Sequence, residues 1–440
     1  DEKWLAFVES TRLAVDLKDW NQAWPAVNRM ATSDFSTFVQ AGTGSQTVVR
    51  TDVWGQSLAA RIKAIRPDFG QEAPVDFDAF REIRNGSTAS LRTFLRLQQG
   101  PKLAGRVRNR LADRLIEEGS YQEAELLLIE NRSRSTGESR AVASLLLISL
   151  WDQLGLHGEA GIALAEFARE YSDVSLPSIH EDRLTSLTKR DGVRAAIDLR
   201  DSAPLDGRAM IDSFGKSSLT RGVFEDRQPL PWRVDRVAVR KFSLDSTRPE
   251  FGSTWTSGRV LNIGKRCGFD LLRRGNLNST DWLLVDRFGG NERGSIEMPG
   301  RTSLPVPSQY RMIGHFMPVG SPAEMMGVSL LETNGHSPLW KHRFPRIPSD
   351  KLIEAGPATP SVCVFQTRKH LIGIHPGTGR VLWRKSDLEP DCGLYVEKEA
   401  GLFGDDEILI LFHADQKSWT KLSTRTGETL GTGELDIDFR

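Results

Sequence analysis

The sequence predicts a multidomain chain, α followed by all-β: a helical-repeat half joined to a half built from repeated small sheets. Three observations carry this. A helix–turn–helix figure recurs 36 residues apart in the first half, turn glycines recur at intervals of 44–48 in the second, and the texture changes near residue 204. A chain of 440 residues, 39% hydrophobic and 26% charged, is long enough for two or three domains with sizeable cores.

Residues 1–40 hold helical windows around Trp4–Val8, Leu13–Val15, Trp20 and Trp24, broken by Pro25 and by Ala41-Gly42-Thr43-Gly44-Ser45. That glycine-rich stretch lacks the Gly-Lys-Ser/Thr of a phosphate loop and reads as a turn. A stronger signal starts near Leu91. Leu103, Val107, Leu111 and Leu115 follow the i, i+4, i+8 rhythm of one buried helical face. Gly119 ends that helix, and Tyr121 and Ala124 open the next. The figure returns at Leu150–Ala160, so that Gly119 to Gly155 and Ala124 to Ala160 are both 36 residues. Glycine permits the left-handed backbone that ends a helix, and alanine lets paired helices approach closely.

This figure resembles the tetratricopeptide repeat over roughly 88–173, with a degenerate third helix pair expected over 183–200. The resemblance implies either a concave peptide-binding surface or a scaffold that holds the β half.

From Val234 onward the runs are short and β-rich, among them Arg236–Phe242, Trp282–Val285, Val328–Leu331, Ser361–Phe365 and Ile408–Phe412. The best-formed unit is Leu371-Ile372-Gly373-Ile374-His375-Pro376-Gly377-Thr378-Gly379-Arg380-Val381-Leu382-Trp383: strand, tight Thr-Gly turn, strand ending on tryptophan. Weaker copies occupy 330–340 and 421–430, and a faint one lies at 283–290. Turn glycines at 289, 335, 379 and 427 are separated by 46, 44 and 48 residues, the length of one four-stranded propeller blade. Glycine supplies the positive φ of a hairpin. The tryptophan is expected to wedge between neighbouring blades.

The series resembles the pyrroloquinoline-quinone-like (quinoprotein-like) β-propeller repeat. Its combination with the helices resembles uncharacterised proteins of planctomycete-type bacteria. The expected organisation is a helical N-terminal region over 1–87, tetratricopeptide-like repeats over 88–200, a linker over 201–231, and a partial propeller of four-stranded blades over 232–440. That span holds four to five blades, fewer than the resemblance implies, so the chain is expected to be a piece of a longer protein.

The family name raises a quinone-dependent oxidoreductase. Cofactor-using members carry adjacent cysteines and a carboxylate set for Ca²⁺, whereas Cys267, Cys363 and Cys392 lie 96 and 29 residues apart. No quinone, metal or other cofactor is therefore expected. His370 and His375 read as separate surface residues, Asp405-Asp406-Glu407 as an acidic turn, and Arg106, Arg108 and Arg110 as a solvated helix face. Sequons occur at Asn85, Asn131 and Asn278. No catalytic, cofactor-binding or metal residue is assigned. Lys+Arg and Asp+Glu both total 58, so no basic excess points to nucleic acid, and no run is long enough to span a bilayer. The expectation is a non-enzymatic interaction or scaffold protein with protein partners. The resemblance, which extends to an outer-membrane assembly-factor propeller, favours the periplasm or cell envelope. The alternative is a propeller enzyme such as a quinone-dependent oxidoreductase.

Overall fold

In a computed structural model of the chain, residues 2–32, 37–42, 45–66, 86–97, 101–190, 232–234, 239–241, 257–262, 269–274, 281–286, 292–297, 313–321, 324–331, 338–343, 352–367, 369–386, 388, 405–413 and 418–434 are described. The expected linker over 201–231 lies outside them, as do Cys267, Cys392, Asn85, Asn278 and the turn glycines 289 and 335. The chain mixes helices and antiparallel sheets and divides into two compact units. The first joins both chain ends, Asp1–Ser135 with Pro345–Arg440; the second is Thr136–Phe344.

In the first unit, helices α1 (Glu2–Asp16), α2 (Trp20–Thr32) and α3 (Thr51–Ile65) enclose a short hairpin, β1 (Phe38–Gln40) and β2 (Thr47–Arg50). The region over 1–87 thus carries strands as well as helices, and Ala41–Ser45 falls in the connection between them. Helices α4 (Thr88–Leu97), α5 (Pro101–Glu117) and α6 (Tyr121–Arg134) follow. Val107, Leu111 and Leu115 are buried at the expected four-residue spacing. At the α5–α6 turn Gly119 has φ +79°, and the amide of Ser120 donates to the Leu115 carbonyl at 2.8 Å, so the helix end is satisfied by backbone alone.

Near the C-terminus, β12 (Leu352–Ala358), β13 (Cys363–Thr367), β14 (Leu371–Ile374) and β15 (Val381–Lys385) form an antiparallel meander. The N-terminal hairpin extends it into a six-stranded sheet ordered β1-β2-β15-β14-β13-β12. A three-stranded sheet of β16 (Ile408–Phe412), β17 (Ser418–Ser423) and β18 (Thr429–Glu434) follows. Every residue of β13 is buried, which accounts for its unbroken apolar run. One core unites the helices with these strands: Val27, Met30, Trp54 and Ile62 share a cluster with Val364, Leu371, Trp383, Leu409 and Leu422. Burying such side chains is worth about 1.5–3 kcal/mol each, so the two chain ends are bound by a substantial apolar surface.

The second unit holds α7 (Gly137–Gln153), α8 (His157–Glu170) and α9 (Ser178–Thr188). It also contains the pair β3 (Trp232–Val234) and β4 (Val239–Lys241). A four-stranded meander runs β5 (Ser257–Asn262), β6 (Phe269–Arg274), β7 (Asp281–Asp286), β8 (Glu292–Glu297). A three-stranded sheet is built from β9 (Phe316–Ser321), β10 (Glu324–Ser329) and β11 (Trp340–Arg343). The α7–α8 turn repeats the α5–α6 turn: Gly155 has φ +75°, and the Leu156 amide donates to the Trp151 carbonyl at 2.8 Å. Ala124 and Ala160, at matching positions, are both fully buried. Of the third helix pair expected over 183–200, the described part belongs to α9, which begins five residues earlier. Among the described residues no helix is long and apolar enough to cross a membrane.

Candidate binding groove and the tryptophan-held turns

A concave feature of the second unit lies between α8 and α9. Leu164 and Phe167 on α8 and Tyr171, the residue that caps its C-terminus, recur at three- and four-residue spacing and form one stripe. Val174 and Leu176 from the connection and Leu184 from α9 complete an apolar lining, with Arg169 and Glu181 exposed at the rim. The cavity measures about 730 Å³, within the size range of small-ligand and side-chain sites. Its floor is fixed. The Phe167 and Tyr171 rings lie 5.0 Å apart, and the Tyr171 hydroxyl is 3.3 Å from Ser144 Oγ on α7. Pro177 turns the chain into α9, its carbonyl accepting from the amides of His180 at 2.8 Å and Glu181 at 3.1 Å. The groove thus offers an apolar floor between opposite rim charges. That suits an apolar side chain or short segment, with Ser172, Tyr171 and Thr188 supplying hydroxyls in the lining.

Elsewhere in this unit, titratable groups serve the α7–α8 turn. His157 Nδ1 lies 2.9 Å from Asp152, which also pairs with Arg190. His315, buried, lies 2.7 Å from Glu159 and meets Trp151 edge-on at 5.8 Å. Arg293 donates to the Leu154 carbonyl at 2.7 Å, one of the last acceptors of α7. Except for His157 and Asp152, five residues apart, the members of these pairs are far apart in the chain, where periodicity carries no signal.

In the first unit the two Thr-Gly turns have the same construction. The Gly379 amide donates to the His375 carbonyl and the Gly427 amide to the Ser423 carbonyl, at 2.8 and 2.7 Å. Thr378 N–H donates to His375 Nδ1 and Thr426 N–H to Ser423 Oγ, both at 3.3 Å. Trp383 links one turn to the next. It is fully buried, its indole N–H donates to the Thr424 carbonyl at 2.9 Å, and its ring lies over Gly427, where a Cβ would stand 2.4 Å from Cε3. Gly427 also has φ +66°; backbone conformation and close approach both demand glycine there. The other end of the indole faces Gly373, its cross-strand partner. Trp340 opposite Gly327 in the second unit, and Trp419 opposite Gly433, repeat that pairing.

A polar seam joins α6 to the sheet ends in the first unit. Gly377 lies against Glu123, which Arg92 holds in a two-pronged ion pair at 2.7 Å. Burial pushes the half-buried His375 imidazole below its usual range, opposed by Glu123 and Glu130 and reinforced by Arg92. Burial also raises Asp406, partly offset by Arg134.

Other singled-out residues have structural places. Asp405 accepts from the amides of Glu407 and Ile408 at 2.8 Å and starts β16. His370 and His375 bracket β14, both half-buried rather than freely exposed. Arg106 is exposed, but Arg108 is half-buried and its pKa is lowered by desolvation, so this is not a uniformly solvated face. Asn131 is fully buried, donating to the Gly105 carbonyl at 2.9 Å and Asn109 at 2.7 Å, and is inaccessible to glycosylation in the folded chain. Cys363 is a buried free thiol. Among the described residues no group of three or more His, Cys, Asp or Glu could hold a metal ion.

No protein-family model and no curated protein matches the chain. Solved structures align over part of it. Hsv2 of Kluyveromyces lactis aligns at 8% identity and TM-score 0.31, covering 47% of this chain and 61% of that one. Apo AztD of Citrobacter koseri aligns at 12% and 0.30, covering 46% and 52%. A Bacteroides caccae protein of unknown function aligns at 10% and 0.24, covering 45% and 69%. Hsv2 and AztD are β-propeller-like proteins, and the chain spans less than two thirds of each. Likeness at this level assigns this chain neither a fold nor a function.

Proposed function

We propose that the chain is a non-enzymatic interaction protein, with tetratricopeptide-like helix pairs and quinoprotein-like propeller blades as its frame, and that the α8–α9 groove is where it takes hold of a protein partner. The groove is the observation that carries the functional reading: a concavity floored by the buried Leu164, Phe167 and Tyr171, flanked by the half-buried Val174, Leu176 and Leu184, between the exposed Arg169 and Glu181. The blade reading is supported by the two matching Thr-Gly turns and by Trp383 bearing on the second of them. The repeat reading is supported by the paired left-handed glycines at 119 and 155 and the buried alanines at 124 and 160.

The test is selection of peptides from a displayed random library by the full chain. Enrichment of sequences with apolar anchors, lost in Leu184→Glu at the half-buried groove wall and kept in an exposed control such as Lys189→Glu, is the expected result. Two outcomes would overturn the proposal: enriched peptides that bind a folded Leu184→Glu equally well, or a quinone absorbance change with Ca²⁺ accompanied by alcohol oxidation.

A further inference from the structure

The N-terminal hairpin and α3 engage two successive sheets of the first unit together. Strand β2 pairs antiparallel with β15, setting Val49 opposite Trp383, Val48 opposite Arg384 and Thr47 opposite Lys385. Thr47 Oγ1 then reaches past the sheet it joins and donates to the Gly427 carbonyl in the next Thr-Gly turn, at 3.3 Å. Helix α3 follows directly. Asp52, buried and paired with Arg50 at 2.6 Å, lies 3.4 Å from Arg380, the residue after Gly379. Arg61 lies 3.6 Å from Glu428, the residue after Gly427.

Arg380 and Glu428 therefore hold the same position in two matching turns, with opposite charges, and α3 meets each with the opposite sign. Nine residues of helix separate Asp52 from Arg61, about 13.5 Å, enough to step from one turn to the next. Exchanging the two turns would set Asp52 against Glu428 and Arg61 against Arg380, two repulsive pairs. Such wrong-register repulsion is a source of specificity beyond attraction alone.

We propose that β1, β2 and α3 act as a charge-keyed clasp, sealing the edge of β15 and fixing the step from the six-stranded sheet to the three-stranded one. Uncovered, β15 would present unpaired amides and carbonyls, a template for pairing with another chain. The clasp covers them within the chain and uses charge to admit only one registration.

Hydrogen exchange of the full chain tests this at the exposed pair, where substitution leaves the core intact. Arg61→Glu and Glu428→Arg are each expected to speed exchange in 381–385 and 424–428 by about two- to five-fold, the range of a partly exposed ion pair. The Arg61→Glu/Glu428→Arg exchange of charges is expected to restore it. Asp52→Arg, Arg380→Asp and their combination form a second cycle at the more buried end. Unchanged exchange in the single variants, no recovery in the double, or acceleration spread evenly through α7 and α8 would each overturn the clasp.

Discussion

Replacing Gly427 by alanine in the presence and absence of the Trp383 indole isolates the contact on which the turn-to-turn linkage depends. In the intact chain an alanine Cβ at 427 would stand 2.4 Å from the Trp383 ring, in a left-handed backbone with φ +66°. The left-handed conformation costs about 1–2 kcal/mol for a non-glycine residue. Forcing extra volume into a packed site adds about 1–3 kcal/mol. Trp383→Ala alone empties a fully buried site and is expected to cost about 3–5 kcal/mol. With the indole gone, only the backbone cost of Gly427→Ala remains, so the double variant should be more stable than additivity predicts by about 1–3 kcal/mol. Trp383→Phe separates the hydrogen bond to the Thr424 carbonyl from the ring's bulk and should cost about 0.5–1.5 kcal/mol through that bond. Urea unfolding followed by far-ultraviolet circular dichroism gives all four corners of the cycle. Equal costs for Gly427→Ala in both backgrounds would refute the reasoning.

Three further outcomes follow from buried polar groups. His375 has a folded pKa below its unfolded value, so the unfolded state binds more protons as pH falls. Stability should decline from about pH 6.5 downward, and His375→Gln should flatten that part of a melting-temperature profile; an unchanged slope would count against it. Asn131→Ala strands the Gly105 carbonyl and the Asn109 and Ser135 side chains, which should lower stability by about 1–3 kcal/mol in urea unfolding. The Cys363 thiol, its pKa raised well above the ordinary value by burial, should resist iodoacetamide until the chain unfolds, as peptide-level mass spectrometry would show.

Features set by local backbone chemistry were legible in the sequence. Gly119, Gly155, Gly379 and Gly427 all have the positive φ their turns require, and glycine is the residue that permits it cheaply. Trp383 could be picked out because a tryptophan closing a short strand after a Thr-Gly turn has few other uses than to bury its ring. The pairing of β2 with β15 was hidden. Thr47–Arg50 is a four-residue strand whose partner lies more than 330 residues away, and periodicity carries no information across that distance. The grouping of both chain ends in one unit was hidden for the same reason. The groove was hidden because its floor residues Leu164, Phe167 and Tyr171 also belong to the core of the helix pair. What opens it is the path of the chain through Val174 and Leu176 into α9, which depends on tertiary placement. Asp52 and Arg61 looked like ordinary helix charges until Arg380 and Glu428 were seen beside them.

The central claim is that the α8–α9 groove is the binding surface. The direct measurement is hydrogen exchange of the full chain with and without a library-selected peptide. Protection concentrated in 164–188, and absent in a folded Leu184→Glu, is the predicted result. Protection confined to other segments, or unchanged in Leu184→Glu, would contradict it.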